Sequence, residues 1–400
     1  MARRHSRPYA LTRGAMLSSS KERALATLIS QGPMHRADLA RALEVSRTTV
    51  TNVTQELLAD GMLDSDQGTA LRSKLWITHA AGVIVSVVCR LRSTVVAVSS
   101  LDGRTTALRS ATQEPYDLGG HRLTTATHLI EELLAQIGNP PVLAGHVAVN
   151  TQIDVLTGEI VGGRASKRWT GFNPRTTMEG ALGAPVAIEN TSRLLALAEH
   201  HMHSNGQAHN LIYVHLSHGI TMGQILHGTI VQGSHGGAGE LGHMSIDLEG
   251  LPCECGNRGC LMQYVDEQVV STRASAILGA DATVDDLVAS ANDGSRACRS
   301  LIADIGGLLG KALVGVCHLL DPDVIVLGGE LARAGDLLID PVRQNLHQRA
   351  LPLNARGLSV TAASASLSET DVASAGFHIL RSDPHHVSRM LHAISDRVET

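Results

Sequence analysis

Aromatic residues make up only 2% of this 400-residue chain. With so few rings, the core must be packed mainly from Ala, Val, Leu and Ile, which the 43% hydrophobic content can supply. Long apolar runs are missing as well. The stretches near residues 82–88 and 324–327 are strand-sized rather than membrane-sized, so no membrane role is expected. The N-terminus is basic but lacks the apolar run of a secretory leader. Cysteine is sparse, at six residues, and unevenly placed. Clustered thiols in a chain without an export signal point to the cytoplasm and a metal rather than to a disulfide scaffold. The length fits two or three domains.

Half of the cysteines lie in one stretch, Cys253-Glu254-Cys255-Gly256-Asn257-Arg258-Gly259-Cys260. Three thiols within eight residues can surround one small ion, and His243, ten residues upstream, supplies a fourth ligand. One His with three Cys is a structural zinc set. Gly256 and Gly259 let the backbone bend sharply enough to aim the thiols inward. The expectation is one structural zinc per chain on His243, Cys253, Cys255 and Cys260; disulfides or idle buried thiols are the alternatives. Cys89, Cys298 and Cys317 sit in apolar surroundings and read as small core residues. Most of the 21 histidines are expected at the surface.

The net charge of −5 hides an asymmetry, because residues 1–80 carry +4 and the remainder −9. A basic head on an acidic body points to a polyanionic partner for the head. Residues 1–16 are basic and unpatterned, and read as a flexible arm with Arg3, Arg4 and Arg7. Helical periodicity follows at 21–31, 36–43 and 47–59. Ser46 caps the third helix, whose outward face carries Arg47, Thr48, Thr49, Thr51, Asn52 and Gln55. These side chains hydrogen-bond base edges and phosphates, bunched where a helix would enter the major groove. A hairpin after Gly61 returns through residues 74–77 as a wing, placing Arg72 and Lys74 near the DNA backbone or minor groove. A three-helix protein-binding module is the competing reading.

Residues 81–400 alternate strand and helix patterns. Two halves each open on a β-hairpin and continue into helices and buried strands, which indicates a duplicated α/β fold around a cleft. Expected boundaries are a winged helix-turn-helix at 17–80, a first lobe at 81–200, a second lobe with the zinc loop at 201–383, and a tail at 384–400.

The sequence Gly236-Gly237-Ala238-Gly239-Glu240-Leu241-Gly242-His243, followed by the cysteine motif, resembles the ROK family (repressors, open reading frames, kinases), specifically its repressor branch. The resemblance runs over roughly residues 17–380. It implies a two-lobed actin-like, ribonuclease-H-like fold and the same His243–cysteine zinc site. It also allows the kinase machinery to be checked position by position. Where kinases carry an Asp-x-Gly-Gly-Thr phosphate turn, this chain has Val88-Cys89-Arg90-Leu91-Arg92-Ser93, with neither Asp nor Gly. Thr191 occupies the place of the catalytic Asp, and a threonine hydroxyl cannot act as the general base. Ser217-His218-Gly219 replaces the second phosphate loop.

The resemblance also implies sugar contacts at Asn190, Thr191, Glu240 and His243, with Thr191 and Met262 standing where relatives have acids. Losing carboxylates weakens a neutral hexose, so the effector is expected to differ, for instance as a more apolar or anionic compound, or the pocket is vestigial. The expected protein is therefore a non-enzymatic, DNA-binding regulator, a repressor acting as a homodimer or tetramer on a double-stranded operator and sensing a sugar or other small molecule. Control by a protein partner and a sugar kinase with a fused head are the rivals.

Overall fold

The structure is a computed structural model that describes residues 19–66, 73–162, 167–204, 208–364 and 368–398. The arm with Arg3, Arg4 and Arg7, and the wing tip with Arg72, lie outside the described residues.

The head forms three helices and a small sheet. Ser20–Gln31 begins at a capping box in which the Ser19 side chain and Glu22 satisfy each other's backbone. Arg36–Leu43 ends at Glu44, whose φ of 56° makes the left-handed turn into the next helix. Ser46 then caps Arg47–Ala59. The strand Lys74–Ile77 lies between Met34–His35 and Leu63–Ser65, both antiparallel to it, as a winged helix requires.

The body contains two five-stranded sheets of identical topology. The first runs Thr105–Thr112, Ser93–Ser100, Val83–Cys89, Val142–Val149, Val186–Asn190 in spatial order. The second runs Thr229–Ile230, Gly219–Leu226, Leu211–Ser217, Val324–Gly329, Ser359–Ala362. In each, a three-stranded antiparallel meander is followed by two parallel strands. The duplicated α/β body is thus a two-lobed actin-like domain. Val83–Cys89 is buried along its whole length because helices cover both faces of its sheet.

Three features depart from the sequence expectation. Glu369–Ser382, assigned above to the second lobe, instead lies on the first sheet. Its Val372 and Ala375 join a core with Val88, Val95 and Ala148, and its Phe377 and Leu380 join one with Ile84 and Ala144. Gly376 permits this approach, since a Cβ there would lie 2.6 Å from His146 Nδ1. The tail expected from residue 384 is folded as far as it is described. Pro384–Val398 is a helix whose Val387, Met390, Leu391 and Ile394 share one apolar core with Leu25, Leu28 and Ile29 of the head. Nor does every histidine keep to the surface: among the described residues His146 and His200 are buried, and His201, His215 and His378 are half-buried.

The longest helix, Arg296–Leu320, is long and apolar enough to cross a membrane by length and composition alone. Leu301, Ile302, Ile305, Leu309 and Leu313 bury it in the core of the second lobe. Cys89, Cys298 and Cys317 are fully buried core thiols.

Head and body meet without a free linker. The turn Leu101-Asp102-Gly103-Arg104 of the first sheet reaches the wing strand directly. Asp102 Oδ2 accepts from the Ile77 N–H at 3.2 Å, and Arg104 lies 5.0 Å over the Trp76 ring while pairing with Asp102.

Candidate functional site

Three places carry chemistry. The first is the outer face of Arg47–Ala59. Val50, Thr54 and Leu57 turn inward, and this periodicity leaves Arg47, Thr48, Thr51, Asn52 and Gln55 exposed on the other side. Thr49 is half-buried, and Ser46 Oγ accepts from the Thr49 N–H at 3.0 Å, so Ser46 acts as the helix cap. Lys74 is exposed on the wing strand. The geometry therefore offers a compact polar, basic face with no carboxylate in the helix's first turn.

The second is the thiol cluster. The ligand atoms of His243, Cys253, Cys255 and Cys260 all lie within 4.8 Å of one another. Cys253 Sγ is 3.7 Å from His243 Nδ1 and Cys255 Sγ is 3.6 Å from Cys260 Sγ. A tetrahedral zinc with sulfur ligands at ~2.3 Å would have ligand atoms ~3.8 Å apart, so the residues fit the ion. The loop is held by short cross-links: Ser245 bridges to Cys260, Pro252 bridges to Arg258, and the Cys253 N–H donates to the Asn257 carbonyl. Gly259, at φ +64°, is required because a Cβ would run into the Asp247 carbonyl oxygen. Burial raises the Cys253 thiol, but hydrogen bonds from Cys255 and its neighbours outweigh it and bring it down to about 7; Cys260 is pushed up to about 12, first by burial. Crowded thiols resist sharing more than one negative charge unless a cation sits among them.

The third is the cleft between the lobes, which lies beyond the carboxyl ends of both sets of parallel strands, where ligands of open α/β sheets bind. It holds two cavities that share His218, Gly219 and Thr221 in their linings. A cavity of about 140 Å³ is lined by Thr151, Glu240, His243 and Met262. His243 thus stands between the thiol cluster and this cavity. Burial raises the Glu240 carboxyl above its ordinary range, opposed by His243 and Arg193. A larger cavity of about 410 Å³ holds Arg90, Asn190, Thr191, His215 and Glu330. Asn190 is largely occupied by the fold: its Oδ1 accepts from the Ser192 N–H at 2.8 Å and its Nδ2 donates to the Thr151 carbonyl at 3.0 Å. Thr191 is 3% exposed and its hydroxyl has no partner. The structure therefore brings Asn190 and Thr191 to one cavity and Glu240 and His243 to the other.

Contacts tie the lobes across the cleft. Arg92 of the first lobe pairs with Glu267 of the second at 3.4 Å. His218 donates or accepts between Glu267, at 3.2 Å, and the Tyr116 hydroxyl, at 3.2 Å. The Glu267 hydrogen bond raises the His218 pKa, and the same bond lowers that of Glu267.

Sequence reasoning passed over Arg193. It pairs with Glu189 at 2.5 Å, both essentially unexposed, and donates to the Gly236 and Ala238 carbonyls at 2.9 Å. Gln232 holds the other Glu189 oxygen at 2.6 Å. This buried network fixes the Gly-rich segment that carries Glu240 and His243. Glu189 lies in the strand Val186–Asn190 and Arg193 in the helix Thr191–Ser204, so no single-element periodicity pairs them, and nothing local marks the pair as buried.

A family model described as the ROK family matches residues 120–375. A putative xylose repressor from Caldicellulosiruptor sp. (strain Rt8B.4) is 23% identical over 347 residues, covering 82% of this chain and 86% of that protein. A glucokinase from Halalkalibacterium halodurans is 29% identical over 204 residues, covering 47% of this chain and 62% of the kinase. Among solved structures, a ROK family transcriptional regulator described as a homolog of the E. coli MLC protein superposes with a TM-score of 0.75 at 23% identity, covering 93% of this chain and 98% of that one.

Proposed function

The chain belongs to the ROK family, and from that premise we propose that it is a DNA-binding transcriptional regulator, a repressor, that senses a small molecule in its interlobe cleft. The observation that carries this reading is the exposed face of Arg47–Ala59 on a winged head packed into the body's own core. Arg47 and Asn52 read base edges, while Lys74, together with Arg3, Arg4, Arg7 and Arg72, contacts phosphates. One short helix reads few bases, so a homodimer or tetramer on a pseudo-palindromic site is the working form. The protein acts in the cytoplasm, where DNA is available and thiols stay reduced.

Zinc is the one cofactor, held by His243, Cys253, Cys255 and Cys260. The ion would organise the loop beside Glu240 and supply no chemistry to a reaction. The chain does not act as a sugar kinase in this reading. Thr191 stands where a general base is needed, and the Asp266 carboxylate, in the smaller cavity, is already engaged by the Gly219 and Gln268 N–H groups. Its similarity to both repressors and a glucokinase is consistent with a shared body and different heads.

Selection of bound duplexes from a random DNA pool tests the proposal. The expected result is enrichment of a twofold-symmetric motif, and ATP turnover with hexoses at the no-enzyme rate. A pool that emerges unenriched, or hexose-dependent ATP consumption, would overturn it.

A further inference from the structure

Four side chains from distant parts of the chain meet at the mouth of the interlobe cleft. Arg92, between Val83–Cys89 and Ser93–Ser100, and Tyr116, between Thr105–Thr112 and Gly119–Gln136, belong to the first lobe. His218, between Leu211–Ser217 and Gly219–Leu226, and Glu267, at the start of Glu267–Leu278, belong to the second. Two bonds cross the gap. Arg92 reaches Glu267 Oε1 at 3.4 Å, and the Tyr116 hydroxyl lies 3.2 Å from His218 Nε2. The Tyr116 and His218 rings also meet edge to face, with centroids 5.8 Å apart. Arg92 and His218 line the larger cavity, and His218 lines the smaller one as well, so these contacts stand at the entrance to both.

Each half of the junction is built within its own lobe. In the first, Arg122 is 3% exposed and donates to the Arg90 carbonyl at 2.6 Å and to the Leu91 and Glu114 carbonyls at 2.8 Å. One buried guanidinium thus fixes both the turn that carries Arg92 and the segment that carries Tyr116. Arg168 donates to the Pro115 carbonyl at 2.8 Å and lies 5.8 Å from the Tyr116 ring centroid. In the second, the Gly219 and Gln268 N–H groups both donate to Asp266, which joins the turn of His218 to the helix that begins with Glu267. His218 Nδ1 lies 3.2 Å from Glu267 Oε2. Halves that are each held in this way can part and rejoin as rigid pieces.

The joint between them is light. Glu267 is 12% exposed but Arg92 is 60% exposed, and a pair with one arm in water contributes little. The Tyr116 hydroxyl can donate to His218 Nε2 or accept from it, so that bond survives either charge on the imidazole. Deeper in, Val88, Val95 and Ala148 share an apolar core with Leu211, Tyr213 and Val326, and that is the side on which the lobes stay together.

We propose that Arg92, Tyr116, His218 and Glu267 form a clasp that shuts the mouth of the interlobe cleft and opens it when its two halves part. The clasp concerns the movement of the lobes, not the identity of a ligand or a DNA site, so its test stands apart from that of the proposed function.

The distance between the lobes of the full chain is the readout. Spin labels attached to keto-bearing amino acids at the exposed positions Glu132 and Thr272 leave the zinc-site thiols untouched. The otherwise unchanged chain should give one main distance. Arg92→Ala and Tyr116→Phe should each lower the ratio of closed to open molecules by up to about fivefold. The two together should lower it further, so that a second, longer distance appears. Arg92→Lys keeps the charge and, combined with Tyr116→Phe, should open the cleft less than Arg92→Ala does in the same background. All these variants should melt near the wild-type temperature, since Arg122 and Asp266 still hold each half. A double variant that keeps the wild-type distance alone would overturn the proposal, as would Arg92→Lys opening the cleft as far as Arg92→Ala. A large drop in melting temperature would do the same, because it would show that these contacts hold the fold rather than the mouth of the cleft.

Discussion

Two interfaces organise this molecule, and they are built in opposite ways. At the seam between head and body, Leu25, Leu28, Ile29, Ile77, Leu101, Phe377, Met390 and Ile394 form one continuous core. The principal polar group there, Asp102, is fully engaged by the Ile77 N–H, the Ser100 hydroxyl and Arg104. At the mouth of the interlobe cleft the contacts are polar, Arg92 with Glu267 and Tyr116 with His218, whereas deeper in Val88, Val95 and Ala148 of the first sheet share an apolar core with Leu211, Tyr213 and Val326 of the second. The first interface is made to hold and the second to be occupied.

The largest expected effect lies on the cleft side, at the zinc loop. Structural zinc contributes on the order of 10 kcal/mol in small domains and less within a large lobe. Metal analysis of protein prepared without added zinc should give about one ion per chain, and Cys255→Ser should lose it together with much of the second lobe's thermal stability. Full metal content in that variant would break the assignment.

Next is the buried pair beneath the Gly-rich segment. Arg193→Met leaves Glu189 charged and unpaired, which should cost about 3–5 kcal/mol in denaturant unfolding. Adding Glu189→Gln should restore part of that loss. If the single variant unfolds like wild type, the cleft's scaffold is not held as described.

The seam offers the matching cut. Asp102→Ala removes the acceptor for Ile77 and the partner of Arg104, and should lower stability by about 1–3 kcal/mol. It should also uncouple head from body, seen as faster amide exchange in Lys74–Ile77.

A pH series sharpens the contrast further. Burial, the leading cause in each case, holds His146 at about 3, His201 at about 4 and His378 at about 2; His386 adds to it for His146, His200 for His201, and His201 for His378. Each lies well below the ordinary imidazole value of about 6.5. The stability they contribute is therefore complete above about pH 6.5 and is lost as pH falls towards 4. The melting temperature should drop between pH 7 and pH 5, and His378→Phe should flatten that slope. An unchanged slope would show that the histidines under Glu369–Ser382 are not held neutral.

The smallest effect is expected at the head's surface. Lys21 reaches Glu56 at 3.0 Å and Asp60 at 3.2 Å, but both pairs are solvent-exposed. Lys21→Ala should cost no more than about 1 kcal/mol.

Much of this was legible in the chain because its signals are local. Ser46 before a helical period, the cysteine spacing with His243, and two successive hairpin patterns each declare themselves within a few residues. The destination of Glu369–Ser382 did not, since a helix's sequence shows its apolar face but not which sheet receives it. Asn190 was misleading for a related reason: the side chain suited to a ligand also suits a helix cap, and the cap engages most of it. Arg90, His215 and Glu330 come together only because two lobes face each other, a relation that no short window of sequence contains.

The most direct test of the central claim is the affinity of the full chain for its selected operator, measured against bulk competitor DNA at fixed salt. Arg47→Ala and Asn52→Ala should each lose about 1–3 kcal/mol of specific binding while non-specific affinity changes little. Variants that keep the wild-type ratio of specific to non-specific binding would contradict the assignment of Arg47–Ala59 as the reading helix, and with it the account of this chain as a DNA-directed regulator.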